Sequence, residues 1–302
     1  MRIQPWRSFR AVGRTRARST ASVLLLLLGS GCAGSTEVRG LEPESSLRPR
    51  WRAASLRLQV RHGQEDFENL YLSTVSVEQP GQERACTGVL VHSLLVLTAA
   101  HCVCPTVGTS LDSGRCLKTA SVTAYTYKKQ GKGYAMAPRT RQGTVQPHAR
   151  FNVQLNEQGI VKASTSDLAV IALDEALDGI SIGFDLTKTE PDVHDELVVV
   201  GYGRTEKGKV GRRFYGKNNI TDKGRSNLAD RDDKDVSLLF EMSGAHVSEG
   251  DSGGPCFVED GEKRWLVGIT AQGDGTTSRF TSIYRHLPWL HEQIEKAKRR
   301  SL

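Results

Sequence analysis

One serine among three glycines, in Gly250-Asp251-Ser252-Gly253-Gly254-Pro255, constrains the fold of this chain more than any other feature. Glycine adopts backbone conformations that a Cβ would forbid, so this stretch can form a sharp turn. Such a turn can push a hydroxyl outward while its own N–H groups point into a shared hollow. An acyl-transfer nucleophile needs both an exposed oxygen and a preformed oxyanion site. The motif therefore predicts that Ser252 is a nucleophile.

Two further segments carry the partners that such a serine requires. The stretch Leu97-Thr98-Ala99-Ala100-His101-Cys102 ends an apolar run over residues 89–100, and Asp167 opens a hydrophobic strand. Each has an ordinary alternative, because a histidine beside a buried strand is often a satisfied core residue and an aspartate there is often a strand-entry residue. With Ser252 they give the order His, Asp, Ser, which is the order of the chymotrypsin-type triad and differs from that of subtilisins and α/β-hydrolases.

On these motifs the chain resembles the trypsin-like (chymotrypsin) family of serine proteases. Weaker matches occur in the same order: Gly201-Tyr202-Gly203, Val267-Gly268-Ile269, and Phe280-Thr281 ahead of a helical end that contains Trp289. Together the matches span residues 60–302, about four-fifths of the chain.

The resemblance implies an all-β fold of two packed six-stranded Greek-key β-barrels with a C-terminal helix. His101 and Asp167 would belong to the first barrel and Ser252 to the second, with the cleft between them. Short apolar runs with turn signals between them are typical of such a fold. These runs are residues 70–77, 86–100, 120–127, 168–173, 197–202, 238–242, 255–259, 265–271 and 278–284. We expect long surface loops over the polar residues 203–236, and helical spacing predicts a terminal helix from residue 287.

The resemblance also implies a mechanism. His101 would act as the general base for Ser252, Asp167 would hold the imidazole in the required tautomer, and the amides of Gly250 and Ser252 would bind the oxyanion. We expect a serine-type endopeptidase that acts on protein or peptide substrates and needs no metal or organic cofactor. The alternative is a binding or regulatory module that kept the protease fold without the chemistry, and a structural envelope lipoprotein is a third class.

Substrate preference depends on the residue six positions before the serine, which in this family lies at the base of the primary specificity pocket. Here it is His246, where a trypsin has aspartate, so we do not expect cleavage after Lys or Arg. The resemblance assigns Thr270 to the same pocket. Arg279, if it faces the pocket, would favour Glu or Asp, and a small or apolar side chain remains open. Ala271 stands where the family usually has a serine that supports the triad aspartate, which bears on turnover rate rather than on reaction type.

Activation by proteolysis is a further implication of the resemblance. In this family the residue at Asp251 receives the α-ammonium group that cleavage of a zymogen creates. Val60-Arg61-His62-Gly63 lies 41 residues before His101 and resembles the family's Ile-Val-Gly-Gly start. Cleavage after Gln59 would free Val60 for a pair with Asp251, and the activator would then not be trypsin-like at that bond.

The cysteines point to an oxidising compartment. The resemblance pairs Cys86 with Cys102, and Cys104 and Cys116 would then close a 13-residue loop of their own, which stabilises by roughly 3 kcal/mol in the loop-entropy model. Zinc binding by Cys102, Cys104 and Cys116 is the alternative, although Cys-x-Cys is a short spacing for a zinc knuckle. Cys256 is left over, and we expect it to be a buried, inert thiol.

The first residues have the pattern of an export signal. A short apolar run over residues 23–28 follows several arginines and precedes small residues, so we expect residues 1–32 to be a signal peptide. Cys32 resembles the cysteine of a bacterial lipobox, which would be lipidated and would anchor the protein to a membrane. Ordinary signal cleavage and a mitochondrial transit peptide remain open. We expect a disordered tether or propeptide over residues 33–59, a protease domain over 60–302, and a location outside the cell or in its envelope.

The net charge of +7 does not indicate a nucleic acid partner. Residues 1–59 hold eleven arginines, no lysine and three glutamates, whereas the remainder holds 30 basic and 31 acidic residues. The region that carries the motifs is therefore close to neutral, and we expect a monomer that does not bind nucleic acid.

Overall fold

The structure is a computed structural model. It describes residues 63–78, 85–104, 110–155, 157, 161–203, 211–225, 236–241, 245–273 and 277–301, all of which belong to one compact unit over residues 54–302. The predictions for Cys32, Val60, the signal peptide and the tether lie outside these residues. In the described part of the chain no helix has both the length and the apolar character that crossing a bilayer requires.

The described residues form eighteen strands and one long helix. The first ten strands are β1 (Gln64–Glu65), β2 (Thr74–Glu78), β3 (Ala85–His92), β4 (Leu95–Thr98), β5 (Ser110–Asp112), β6 (Thr119–Gln130), β7 (Gly133–Pro147), β8 (Asn152–Leu155), β9 (Val161–Thr165) and β10 (Ala169–Leu173). The others are β11 (Asp185–Leu186), β12 (Glu196–Gly201), β13 (Phe214–Asn219), β14 (Asp222–Arg225), β15 (Val236–Glu241), β16 (Pro255–Asp260), β17 (Lys263–Gly273) and β18 (Thr277–Ser282), followed by the helix α1 (Leu287–Arg300).

Six strands of the first half close into a barrel in the order β10-β4-β3-β2-β6-β7, and every pair in it is antiparallel. Side chains of Val75, Val89, Leu97 and Ile171 are fully buried in the core. The β-branched Val75, Val89 and Ile171 suit such positions because they pack well on a pleated surface. The barrel is therefore a packed core that holds the ends of its strands in place.

The strands of the second half form a nine-stranded sheet that also includes β1. Its order is β1-β13-β12-β16-β17-β18-β15-β14, with β11 beside β17. A second apolar cluster around Leu197, Val199, Ile220 and Phe280 lies within this half. The predicted all-β fold with a C-terminal helix is confirmed, and Pro288 lies in the first turn of α1, where its missing N–H costs nothing.

The prediction of long loops over residues 203–236 was wrong in part, because β13 and β14 lie there. Strand β13 reads Phe-Tyr-Gly-Lys-Asn-Asn and lacks a clear alternation, but it pairs with β12 over six residues. The polar strand β7 was missed for the same reason, since its residues 133–144 pair with β6 through a two-residue turn at Gly131. The partner strand supplies the hydrogen bonds that make these segments strands, and a single sequence does not show a partner.

Candidate active site

The pairing of β4 with β10 brings His101 and Asp167 together. Thr98 lies opposite Ala169 in this pair. Thr98 comes three residues before His101, and Ala169 comes two residues after Asp167. A short 3-10 helix, Ala100–Cys102, turns the chain directly after β4 and places the imidazole at the end of the barrel. Two segments 66 residues apart in sequence thus meet because their strands are neighbours.

His101 and Asp167 form a tight, two-point contact. The Nδ1–H of His101 donates to Asp167 Oδ2 at 2.7 Å, and the backbone N–H of His101 donates to Oδ1 at 2.9 Å. The Asp167 side chain is 5% exposed and the His101 side chain 26%. Burial lowers the pKa of His101, but the charge and the hydrogen bond of Asp167 outweigh it, so the pKa lies above its usual value. The contact also leaves Nε2 as the basic nitrogen.

Both predicted disulfides are confirmed. Cys86 bonds to Cys102 and Cys104 bonds to Cys116, so the thiolates that the zinc interpretation required are consumed. The Cys102 sulfur lies 3.9 Å from His101 Nε2 and 3.4 Å from the carbonyl oxygen of Ser252. Cys256 is a buried free thiol whose pKa burial raises well above its usual value, as expected of an inert residue.

The turn around Ser252 needs its glycines. Gly250 and Gly253 have φ angles of 98° and 83°, in the region that side chains rarely adopt. A Cβ on Gly253 would also collide with the carbonyl oxygen of Thr87 and the hydroxyl of Thr98. The glycines therefore let the serine turn approach the first barrel closely.

The amides of this turn fall into two groups. The N–H groups of Asp251, Gly253 and Gly254 donate to the carbonyl oxygens of Ser248, Thr270 and Asp251, at 3.0, 2.8 and 2.9 Å. The N–H groups of Gly250 and Ser252, in contrast, donate to no acceptor among the described residues. These two are the amides that the family resemblance assigns to the oxyanion, so the turn holds two donors beside the serine that have no acceptor among the described residues.

The hydroxyl of Ser252 makes no hydrogen bond with His101 in the described part of the chain. Catalytic hydrogen bonds are often long in proteins without substrate and tighten when substrate binds. The Cys102 sulfur, close to both residues, shows that the serine and the imidazole share one region of the structure.

Asp251 is a buried carboxylate held only by amides. Its Oδ1 accepts the N–H of Gly203 and its Oδ2 accepts the N–H of Ser248, each at 2.8 Å. A Cβ on Gly201 or Gly203 would collide with this carboxylate, so both glycines are needed to form its cradle. No cation among the described residues pairs with it. Burial outweighs the two hydrogen bonds and raises the pKa of Asp251 to about 7.

The residues predicted for the specificity pocket do not all meet. His246 is 5% exposed and Thr270 is 1% exposed, and the Thr270 hydroxyl has no hydrogen-bond partner among the described residues. Arg279 is exposed, because neighbouring residues of a strand point to opposite faces, and its neighbour Ser278 is the buried one. Ser278 accepts a hydrogen bond from the N–H of Val247, the residue after His246, at 3.4 Å.

Two residues of this region escaped prediction from sequence. Ser278 has no motif around it, although strand alternation before the buried Phe280 places it on the buried face. Thr87 lies in an apolar run with no motif around it, so only the structure reveals its contacts with the serine turn.

Comparison with known proteins agrees with the fold. A family model described as Trypsin matches residues 61–290. A mutant of human heparin binding protein (CAP37) is 16% identical, with a TM-score of 0.54 over 77% of this chain and 96% of that chain. A second mutant of the same human protein is 16% identical, with a TM-score of 0.52 over 76% and 94% of the two chains. At this identity the likeness shows the fold alone.

We expect that replacing Asp167 with Asn lowers the pKa of His101, because the charge and the hydrogen bond of Asp167 raise it. An NMR titration of the imidazole measures this directly, in a Ser252→Ala background that prevents self-digestion. Asp260→Asn, at an exposed position, is the matched control and should leave the titration unchanged. An equal His101 pKa in both variants would contradict the assigned contact.

Proposed function

This chain belongs to the trypsin family, and we propose that it is a serine endopeptidase that uses His101, Asp167 and Ser252 through an acyl-enzyme. The observation that carries the proposal is the combination of the His101–Asp167 contact with the two unused amides of the serine turn. A preformed donor pair of this kind lowers the barrier without reorganisation at the moment of reaction.

The proposed reaction begins with attack of Ser252 Oγ on the carbonyl carbon of the substrate. His101 Nε2 takes the hydroxyl proton, while Asp167 stabilises the imidazolium that forms. The negative charge that develops on the carbonyl oxygen is bound by the N–H groups of Gly250 and Ser252. His101 then returns the proton to the leaving amine, and water releases the acyl group by the same steps in reverse roles.

A second candidate function is binding of an anionic polymer without catalysis. The hairpin of β6 and β7 carries three lysines near its turn and two arginines further along, and residues 119–147 include no acidic residue. Lys128, Lys129 and Lys132 are exposed. The similar solved structures are of a protein whose name states that it binds heparin. A basic surface of this kind attracts polyanions in a salt-dependent way.

Labelling with a serine-directed fluorophosphonate separates the two functions. We expect the wild-type protein to be labelled, Ser252→Ala to be unlabelled, and Ser181→Ala, at an exposed serine, to be labelled like the wild type. Labelling should increase with pH as His101 loses its proton, at a midpoint above 6.5, because only the neutral imidazole accepts the serine proton. An unlabelled wild type that binds immobilised heparin through Lys128, Lys129 and Lys132 would instead support the binding function.

The substrate preference that we propose is for a side chain ending in a carboxylate or carboxamide. His246, Thr270 and Ser278 present buried hydrogen-bonding groups near the serine turn, and Thr270 is tied to that turn by backbone bonds to Gly253 and Gly254, both at 2.8 Å. A Lys or Arg side chain would lose its water there, and none of these three residues offers a carboxylate to pair with its charge. Binding of a cationic side chain is therefore disfavoured. Because Arg279 is exposed, its positive charge does not favour Glu or Asp over an uncharged side chain in this pocket.

Profiling with a peptide library tests this preference. We expect Glu and Gln at the cleavage position to exceed Lys and Arg, because only the former can satisfy the pocket. Thr270→Val, which keeps the shape and removes the hydroxyl, should lower kcat/KM for the Glu and Gln peptides by about 10-fold and leave an Ala peptide unchanged. A clear preference for Lys or Arg refutes the proposal.

Export and processing are part of the same proposal. We propose that residues 1–32 direct export, that Cys32 is lipidated, and that cleavage after Gln59 frees Val60 for an ion pair with Asp251. The last of these steps is supported by the cradle of Asp251, where a buried carboxylate with a raised pKa has only amides as partners among the described residues. Mass spectrometry of the mature N terminus tests the processing sites, since it reveals both the first residue and any lipid.

Stability against pH tests the ion pair itself. In the uncleaved chain the folded-state pKa of Asp251, about 7, exceeds the usual carboxyl value, so the folded state binds the extra proton. Stability should therefore fall as pH rises from about 4 to about 7, by about 4 kcal/mol from this group. Asp251→Asn should remove that loss, and so should an N terminus at Val60, because its ammonium group lowers the pKa. Urea unfolding of Ser252→Ala at both pH values measures this change in stability. If the free energy of unfolding depends on pH equally in the cleaved and uncleaved chains, the ion pair is contradicted.

A further inference from the structure

Thr87, in β3, uses every one of its polar groups, and most of them bind the serine turn. Its N–H donates to the carbonyl oxygen of Ser252 at 2.8 Å, and its hydroxyl donates to the carbonyl oxygen of Gly250 at 2.7 Å. The same hydroxyl accepts the N–H of Tyr202 at 3.0 Å, and the Thr87 carbonyl accepts the hydroxyl of Thr98 at 2.8 Å. The side chain is fully buried, so none of these bonds is exchanged for water.

The two carbonyl bonds fix the orientation of the peptide groups that follow Gly250 and Ser252. In a trans peptide the C=O of one residue and the N–H of the next point in opposite directions. When Thr87 binds the carbonyls of Gly250 and Ser252, the N–H groups of Asp251 and Gly253 must point away from the first barrel. Both find acceptors there, in Ser248 and Thr270. The amides of Gly250 and Ser252 belong to the preceding peptide groups, and they have no acceptor among the described residues.

The hydroxyl also joins the turn to the cradle of Asp251. Tyr202, whose N–H it accepts, immediately precedes Gly203, whose N–H binds the Asp251 carboxylate at 2.8 Å. The methyl group of Thr87 faces Gly254, where a Cβ would lie 3.2 Å from it. A β-branched side chain has few rotamers, and this contact helps hold the hydroxyl between Gly250 and Tyr202.

We propose that Thr87 is a positioning residue for the oxyanion site, acting through the carbonyl of Gly250; this rests on the proposed endopeptidase function. Thr87 belongs to the first barrel and touches neither the substrate nor the reacting atoms. It fixes the serine turn of the second half at the end of the barrel that carries His101. Its hydroxyl thus couples the position of the two oxyanion amides to the position of the base.

The test compares Thr87→Val with Thr87→Ser. Valine has the shape of threonine without the hydroxyl, which leaves the Gly250 carbonyl and the Tyr202 N–H buried and unbound, whereas serine can keep both bonds. The loss of one oxyanion donor typically costs roughly 10²–10³-fold in rate. We expect T87V to lower kcat per active site by about 10-fold and to leave KM unchanged within about 2-fold. This effect is smaller than the loss of a donor because both donors remain and are only misplaced. We expect T87S to retain kcat within about 3-fold.

Active sites are counted by fluorophosphonate titration, so partial misfolding changes the count and not the rate per site. The inhibition constant of a peptidyl trifluoromethyl ketone, whose adduct carries an oxyanion, should rise in T87V by the same factor as kcat falls. Thr123→Val is the matched control, because it removes a buried hydroxyl, bonded to Thr140 at 3.0 Å, from strand β6, which pairs with β2 and β7. It should change stability but neither kcat nor the inhibition constant.

Each outcome decides the proposal. Equal kcat per site in T87V and the wild type overturns it, and so does a loss in T87S as large as that in T87V. If T87V does not fold, Thr87→Ala replaces it in the test. We expect this variant also to lower kcat and to leave KM unchanged. A wild type that is not labelled by the fluorophosphonate refutes the endopeptidase function and this inference together, whereas a labelled wild type with an unaffected T87V refutes this inference alone.

Discussion

A buried ion pair between Arg213 and Asp66 is the interaction on which the packing of this protein depends. Both side chains are completely buried, and Nε of Arg213 donates to Asp66 Oδ2 at 2.7 Å. A buried charge that loses its partner is strongly destabilising, typically by about 3–5 kcal/mol, so the surroundings must satisfy every donor. The guanidinium also binds the carbonyl of Tyr125 at 2.8 Å, the hydroxyl of Tyr202 at 3.1 Å and the side chain of Asn69 at 3.3 Å. One side chain thereby joins the first described residues, the barrel strand β6, and the chain that follows β12.

The position of this ion pair explains how distant parts of the site are held together. Tyr202 receives the guanidinium at its hydroxyl, while its N–H binds Thr87 and the next residue binds Asp251. Burial raises the pKa of Tyr202, so the phenol stays neutral and its hydroxyl donates to the carbonyl of Thr74. Among the first described residues, β1 pairs with β13, which begins directly after Arg213. Segments that enter the fold far apart in sequence therefore meet around one buried network.

The residues of the candidate triad could be selected from the sequence because each lies in a recognisable stretch and their order is distinctive. The disulfides followed from the resemblance, and strand alternation could have distinguished Ser278 from Arg279. Strands β7 and β13 could not be predicted, because polar residues form strands there only through pairing with β6 and β12. The Arg213–Asp66 pair was equally hidden, since 147 residues separate the two and neither lies in a motif.

By itself the sequence determined the chemistry of the candidate site: a serine in a glycine turn, a histidine after an apolar strand, an aspartate before another, and cysteines close enough to bond. Those features are local, and a side chain's chemistry is a property of the residue. Only the tertiary structure decided that Thr87 binds both carbonyls of the serine turn, that Asp251 lies among amides, and that Arg279 points outward. These are contacts between segments, and their geometry depends on which strands pair and in which register, because a shift of one residue would turn each side chain to the opposite face.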